Sequence, residues 1–134
     1  MPFYKSAGQF RYTIQKECGY RLVVEIDSEI ARLSRALIPK SVDVRVPLYP
    51  PHISVVRKQI PTRLDYWSKY EGQIIELDYC PWIFNDATYW WLNVFSKRLE
   101  DIRVELGLEA HSQWSMPPDG KRCFHITVGN TKER

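Results

Sequence analysis

The chain is expected to adopt an α+β fold of two pseudosymmetric lobes, their central antiparallel sheets flanking a shared cleft. Three observations predict this. The tetrapeptide His52-Ile53-Ser54-Val55 returns as His125-Ile126-Thr127-Val128, 73 positions later (125 − 52). Each copy lies in a β-branched run that reads as a strand. Around each copy, period-two alternation mixes with apolar repeats at three and four, the mark of amphipathic helices. With 134 residues, 44% of them hydrophobic and 26% charged, the whole chain (1–134) reads as one globular domain.

In the first half Arg21 to Asp27 predicts a strand, with Leu22, Val24 and Ile26 alternating against Val23 and Glu25. Asp27 and Ser28 offer N-cap oxygens, and Glu29 suits the positive end of a helix. Ile30, Leu33 and Leu37 form its apolar stripe, which Pro39 ends. Val42, Val44 and Val46 alternate with Asp43 and Arg45, predicting another strand up to Pro47. The turn-rich Pro47 to Pro51 leads into the first His strand. Thr62 and Asp65 are spaced as a capping box for a short helix through Tyr70.

The second half repeats the scheme more loosely. Gln73 to Tyr79 predicts a strand, Cys80 to Thr88 a loop carrying Pro81, and Tyr89 to Phe95 a β-prone hairpin partner. A helix follows from about Ser96, with Phe95, Leu99, Ile102 and Leu106 on one face and Gly107 as its stop. A loop through Met116-Pro117-Pro118-Asp119-Gly120 then delivers the second His strand.

Composition narrows the function classes. A net charge of +3 is too small for a non-specific nucleic-acid coat, so an anionic partner is expected to be small or held locally. Cys18, Cys80 and Cys123 are odd in number and lack CxxC spacing, which fits neither a disulfide framework nor a zinc site and points to a reducing compartment. The opening Met-Pro-Phe-Tyr-Lys-Ser does not resemble a signal peptide, and no apolar run approaches a membrane span. A cytoplasmic protein with no obligatory protein partner is expected.

The repeated motif carries the chemistry. On a strand, a His and the hydroxyl two residues later share one face, while the Ile and Val between and after them face the core. If the two strands are neighbours, His52, Ser54, His125 and Thr127 converge. Imidazole titrates near about 6.5, so one ring can accept a proton while the other donates one. Ser54 and Thr127 can donate to the non-bridging oxygens of a phosphate as charge develops there. This scheme uses no metal and no cofactor.

At these two tetrapeptides the chain resembles the two-histidine phosphoesterases, a superfamily that includes RNA ligase-like proteins and plant cyclic phosphodiesterases. The resemblance implies a bilobal fold with the motif strands at the centre and helices outside. It also implies His52 and His125 as the acid–base pair, with Ser54 and Thr127 as phosphate-binding hydroxyls. The substrate would be a cyclic nucleotide, a cyclic oligonucleotide, a 2′,3′-cyclic phosphate at an RNA end, or a 2′–5′ linkage; some viral members act on cyclic nucleotide signals. The segment before Tyr20 is longer than such a fold needs, and Phe10 to Ile14 is expected to form an extra strand or shape the cleft.

Among further candidates, alternation places Lys58 rather than Arg57 on the face of His52, and Lys121 rather than Arg122 on that of His125. Tyr49 and Trp114, in loops before the two motifs, are candidates to stack on a base. Trp90, Trp91 and Phe95 fall in a strand, where packing claims at least one face. His111 is expected to be a surface or loop-capping histidine. Cys123, two residues before His125, leaves a His–His–Cys metal site as an alternative. The remaining alternative is a non-catalytic module that binds nucleotides or RNA ends in the same cleft.

Overall fold

A computed structural model describes residues 4–16, 19–47, 50–111 and 123–132. Its elements are β1 (Tyr4–Gln15), β2 (Gly19–Ile26), α1 (Ser28–Ala36), β3 (His52–Arg57), β4 (Ile74–Asn85), β5 (Tyr89–Phe95), α2 (Lys97–Glu105) and β6 (Phe124–Asn130), with a 3-10 turn at Leu64–Tyr66. The strands form a closed antiparallel barrel in the order β1-β2-β3-β6-β5-β4.

This overturns the bilobal α+β expectation. The order strand, strand, helix, His strand does occur twice, but both copies join one continuous sheet, and the two helices have only nine residues each. The cause is β1. Of its twelve residues, Gly8 to Gln15 pair along β2, from Gly8↔Ile26 to Gln15↔Gly19, and its first half pairs along β4, from Tyr4↔Tyr79 to Gln9↔Ile74. One strand bonded on both sides closes the sheet, so the halves do not stand apart as lobes.

Local expectations fail where a longer-range contact wins. The predicted strand at 42–46 contributes only one isolated bridge, Arg45↔Asn130. The predicted loop at 80–88 is mostly strand. β4 runs through Pro81 to Asn85, and an irregularity between Tyr79 and Ile83 takes up the residue that lacks an N–H. Thr62 does not cap a helix. Its hydroxyl instead donates to the Gly107 carbonyl at 3.4 Å, and only the short 3-10 turn forms.

The helices show how far local patterning carries. Asp27 caps α1, its carboxylate accepting from the Glu29 N–H at 2.9 Å. The predicted stripe is not the buried face, however. Ala31 and Ser34 are buried, while Leu33 and Leu37 stay 57% and 76% exposed. In α2 the Ser96 hydroxyl accepts from the Leu99 N–H at 3.2 Å, and Leu99, Ile102 and Leu106 are buried as expected. Gly107 ends the helix at φ 83°, a left-handed conformation that favours glycine.

The core gathers Phe10, Leu22, Val24, Ile53, Ile75, Leu77, Leu92, Val94, Phe124 and Ile126 from six strands' apolar faces with Leu99 and Ile102 from α2. Arg103 is buried with them. It donates to the carbonyls of Val55 (2.7 Å) and Glu109 (2.8 Å) and to the Gln59 amide oxygen (2.9 Å), tying α2 to the first His strand. Among the described residues no helix is long and apolar enough to cross a membrane.

Candidate functional site

The two His strands are neighbours. β3 and β6 pair antiparallel with Ile53 opposite Ile126, and both isoleucines are buried in the core. One step either way along an antiparallel ladder sets His52 opposite Thr127 and Ser54 opposite His125, on the face away from the core. Each imidazole thus has a hydroxyl across from it and another two residues along its own strand. The imidazoles are diagonal neighbours, a relation that separates backbone positions by about 7–8 Å.

Flanking strands extend this square into rows. His52 is in register with Glu25 of β2, and Thr127 with Trp91 of β5. Ser54 is in register with Val23, and His125 with Asn93. A third row holds Arg21 opposite Arg57. Alternation predicts Lys58 on this face, but Leu22 pairs with Val56 while Val23 pairs with Ser54, so Val55 is an extra residue. That bulge reverses the parity of everything after it, bringing Arg57 to the histidine face. Lys58 lies beyond the strand end, exposed and left-handed at φ 56°.

The electrostatics are asymmetric. The His52 Nδ1 lies 2.8 Å from the Pro50 carbonyl oxygen. A carbonyl only accepts, so Nδ1 carries the proton and Nε2 remains for a substrate. Burial pushes the His52 pKa below the ordinary imidazole value, with Arg21 and Arg57 adding to the effect. The Pro50 carbonyl and Glu25 act in the opposite direction. For His125, burial and then Arg57 both lower the pKa. His52 is therefore the ring with help in holding a proton.

On the other flank, the Trp91 indole N–H donates to the Asn93 side-chain oxygen at 2.9 Å. Its ring stacks near Phe84, with centroids 6.5 Å apart and planes 24° apart, and lies 6.2 Å from the His125 ring. Trp90, its neighbour in sequence, is buried in the core. The structure thus brings together His52, Ser54, His125 and Thr127 and adds Arg21, Arg57, Trp91 and Asn93. Tyr49, Trp114 and Lys121 lie outside the described residues. His111 packs on the core side, its ring 5.0 Å from Phe124.

Two signals for the added residues were present in the chain. The doublet Val55-Val56 breaks alternation in an otherwise regular strand, which is how a bulge reads in sequence. Arg21 alternates with Val23 and Glu25, so its face follows once β2 is set beside β3. Cys123, considered above as a metal ligand, is buried, and among the described residues no three His, Cys, Asp or Glu side chains cluster to hold a metal ion. Comparison with protein-family models, curated proteins and solved structures returns no match for this chain.

Proposed function

We propose that the protein is a metal-independent phosphodiesterase acting on a nucleotide whose phosphate is cyclic or 2′–5′ linked. The observation that carries this reading is the pairing of Ile53 with Ile126, which sets two imidazoles and two hydroxyls in one square on the face away from the core. The paired motifs and the repeated order of elements also support a relation to the two-histidine phosphoesterases, in chemistry rather than in lobed architecture.

In this mechanism the phosphate lies between the rings. His125, held neutral by burial, takes a proton from the attacking water as its oxygen bonds to phosphorus. His52, whose Nδ1–H is anchored on Pro50, gives a proton from Nε2 to the ester oxygen that leaves. Ser54 and Thr127 donate to the non-bridging oxygens, and Arg57 offsets their charge. The bound anion itself raises both imidazole pKa values, so His52 becomes protonated on substrate binding. Buried Cys80 and Cys123 fit a reducing, cytoplasmic setting.

The test is a panel of cyclic nucleotides, 2′–5′-linked dinucleotides and RNA ending in a 2′,3′-cyclic phosphate, with products separated by chromatography. Ring opening or cleavage that survives EDTA and disappears in His52→Ala is the expected result. Activity lost to EDTA and restored by zinc would overturn the metal-free mechanism. Tight binding without product across the panel would leave the non-catalytic module, which draws on the same arginines and aromatic rings.

A further inference from the structure

Each histidine motif ends on the same irregularity. In β3 the extra residue is Val55, the fourth of its tetrapeptide. In β6 Trp91 pairs with Thr127 and Trp90 with Gly129, so the extra residue is Val128, again the fourth. A bulge leaves its extra residue out of the ladder, and a carbonyl buried without a donor costs stability. Both valines are buried, and both carbonyls are answered by an arginine. Arg103, in the last turn of α2, donates to the Val55 carbonyl at 2.7 Å. Arg35, in the last turn of α1, donates to the Val128 carbonyl at 2.8 Å. The donors cross between halves: α1 packs on β6 and α2 on β3. Gly129 makes room for Arg35, since a Cβ there would run into Val44 and lie 3.6 Å from the Arg35 Cδ.

We propose that Arg35 and Arg103 are paired positioning residues, each fixing the histidine motif of the opposite half of the chain through the carbonyl of its bulge. The placement of the bulge decides which groups reach the site. One residue earlier, it would turn the hydroxyl of Ser54 or Thr127 toward the core and the valine outward. A guanidinium bonded to the valine carbonyl holds the irregularity one step past the hydroxyl, so imidazole and hydroxyl keep a common face. Arginine suits the task because its planar fork reaches several acceptors with little freedom lost per bond. Arg103 also donates to the Gln59 amide oxygen at 2.9 Å and to the Glu109 carbonyl at 2.8 Å. The consequence for turnover rests on the phosphodiesterase reading, but the crossed positioning is measured without substrate.

The experiment follows the imidazole signals of the whole, unliganded protein by NMR, assigned with His52→Gln, His111→Gln and His125→Gln. Arg103→Met should move the His52 ring signals and leave those of His125 in place; Arg35→Met should do the reverse. Urea unfolding reports that each variant is folded. Where a methionine variant does not fold, Arg35→Lys or Arg103→Lys, which keep a charged donor, should show a smaller shift crossed in the same way. Signals moved in both rings alike, in the ring of the same half, or in neither would overturn the proposal. On the best substrate of the panel, kcat of each folded methionine variant should fall about tenfold or more, as for a misplaced catalytic group. The lysine variants should recover most of that loss. An unchanged kcat would also overturn the proposal, because a purely structural arginine costs stability alone. The crossed NMR pattern without turnover of any substrate would instead count against the hydrolase reading alone.

Discussion

The two His strands differ less in their own residues than in what flanks them. β3 is bordered by charge: Glu25 opposite His52 and Arg21 opposite Arg57. β6 is bordered by Trp91 and by buried Asn93. Near-identical tetrapeptides are thus placed in unlike surroundings: burial lowers the pKa of both rings, but only at His52 do a backbone carbonyl and a carboxylate act against it. A motif states which groups are present; in the proposed mechanism its neighbours decide which of them acts as acid.

The largest expected effect tests the pair itself. Replacing either His52 or His125 by Ala should lower kcat by about 10²–10⁴, as for loss of a general acid or base, measured on the best substrate of the panel. If the halves are inequivalent as argued, a substrate with a more acidic leaving group should rescue His52→Ala and not His125→Ala. Removing a hydroxyl in Ser54→Ala or Thr127→Val should lower kcat by about 10²–10³ if each donor meets the charge that develops in the transition state. A rise in KM alone would make them ground-state contacts.

Stability tests ask how each half is held. Arg103→Met should cost about 3 kcal/mol in urea unfolding, because Val55, Glu109 and Gln59 lose a charged donor inside the core. The bulge at Val55 should loosen as well, so the same variant should weaken phosphate binding at Arg57. For pH, both imidazoles have folded pKa values below their unfolded value. The unfolded chain therefore binds protons first. Stability is full above about pH 6.5 and falls as pH drops below it toward the folded values. Melting scans should show this loss, reduced in His125→Gln. The smallest effects are at the caps: Asp27→Ala and Ser96→Ala should each cost about 1 kcal/mol.

Much of the site was legible because strands of period two sort side chains without help from the rest of the fold. The echo of His-Ile-hydroxyl-Val fixes which groups share a face, and only the adjacency of the strands needed coordinates. Arg57 was assigned to the wrong face because alternation assumes an unbroken pleat, and Val55 breaks it. The architecture was less legible because closure depends on what β1 meets on its second edge, 60 or more residues along the chain. Its alternating Phe10, Tyr12 and Ile14 announce a strand but not a second partner. In α1 the helical period was read correctly. The buried side is set by where β6 lies, so Ala31 and Ser34 pack and the leucines do not.

Because β1 is bonded along β2 and along β4, it is the clasp of the sheet. Cutting the chain after residue 16 would leave two raw edges, each with a row of unanswered amides. Such edges are templates for pairing with another chain, so the amino-terminal strand both completes the barrel and withdraws those templates.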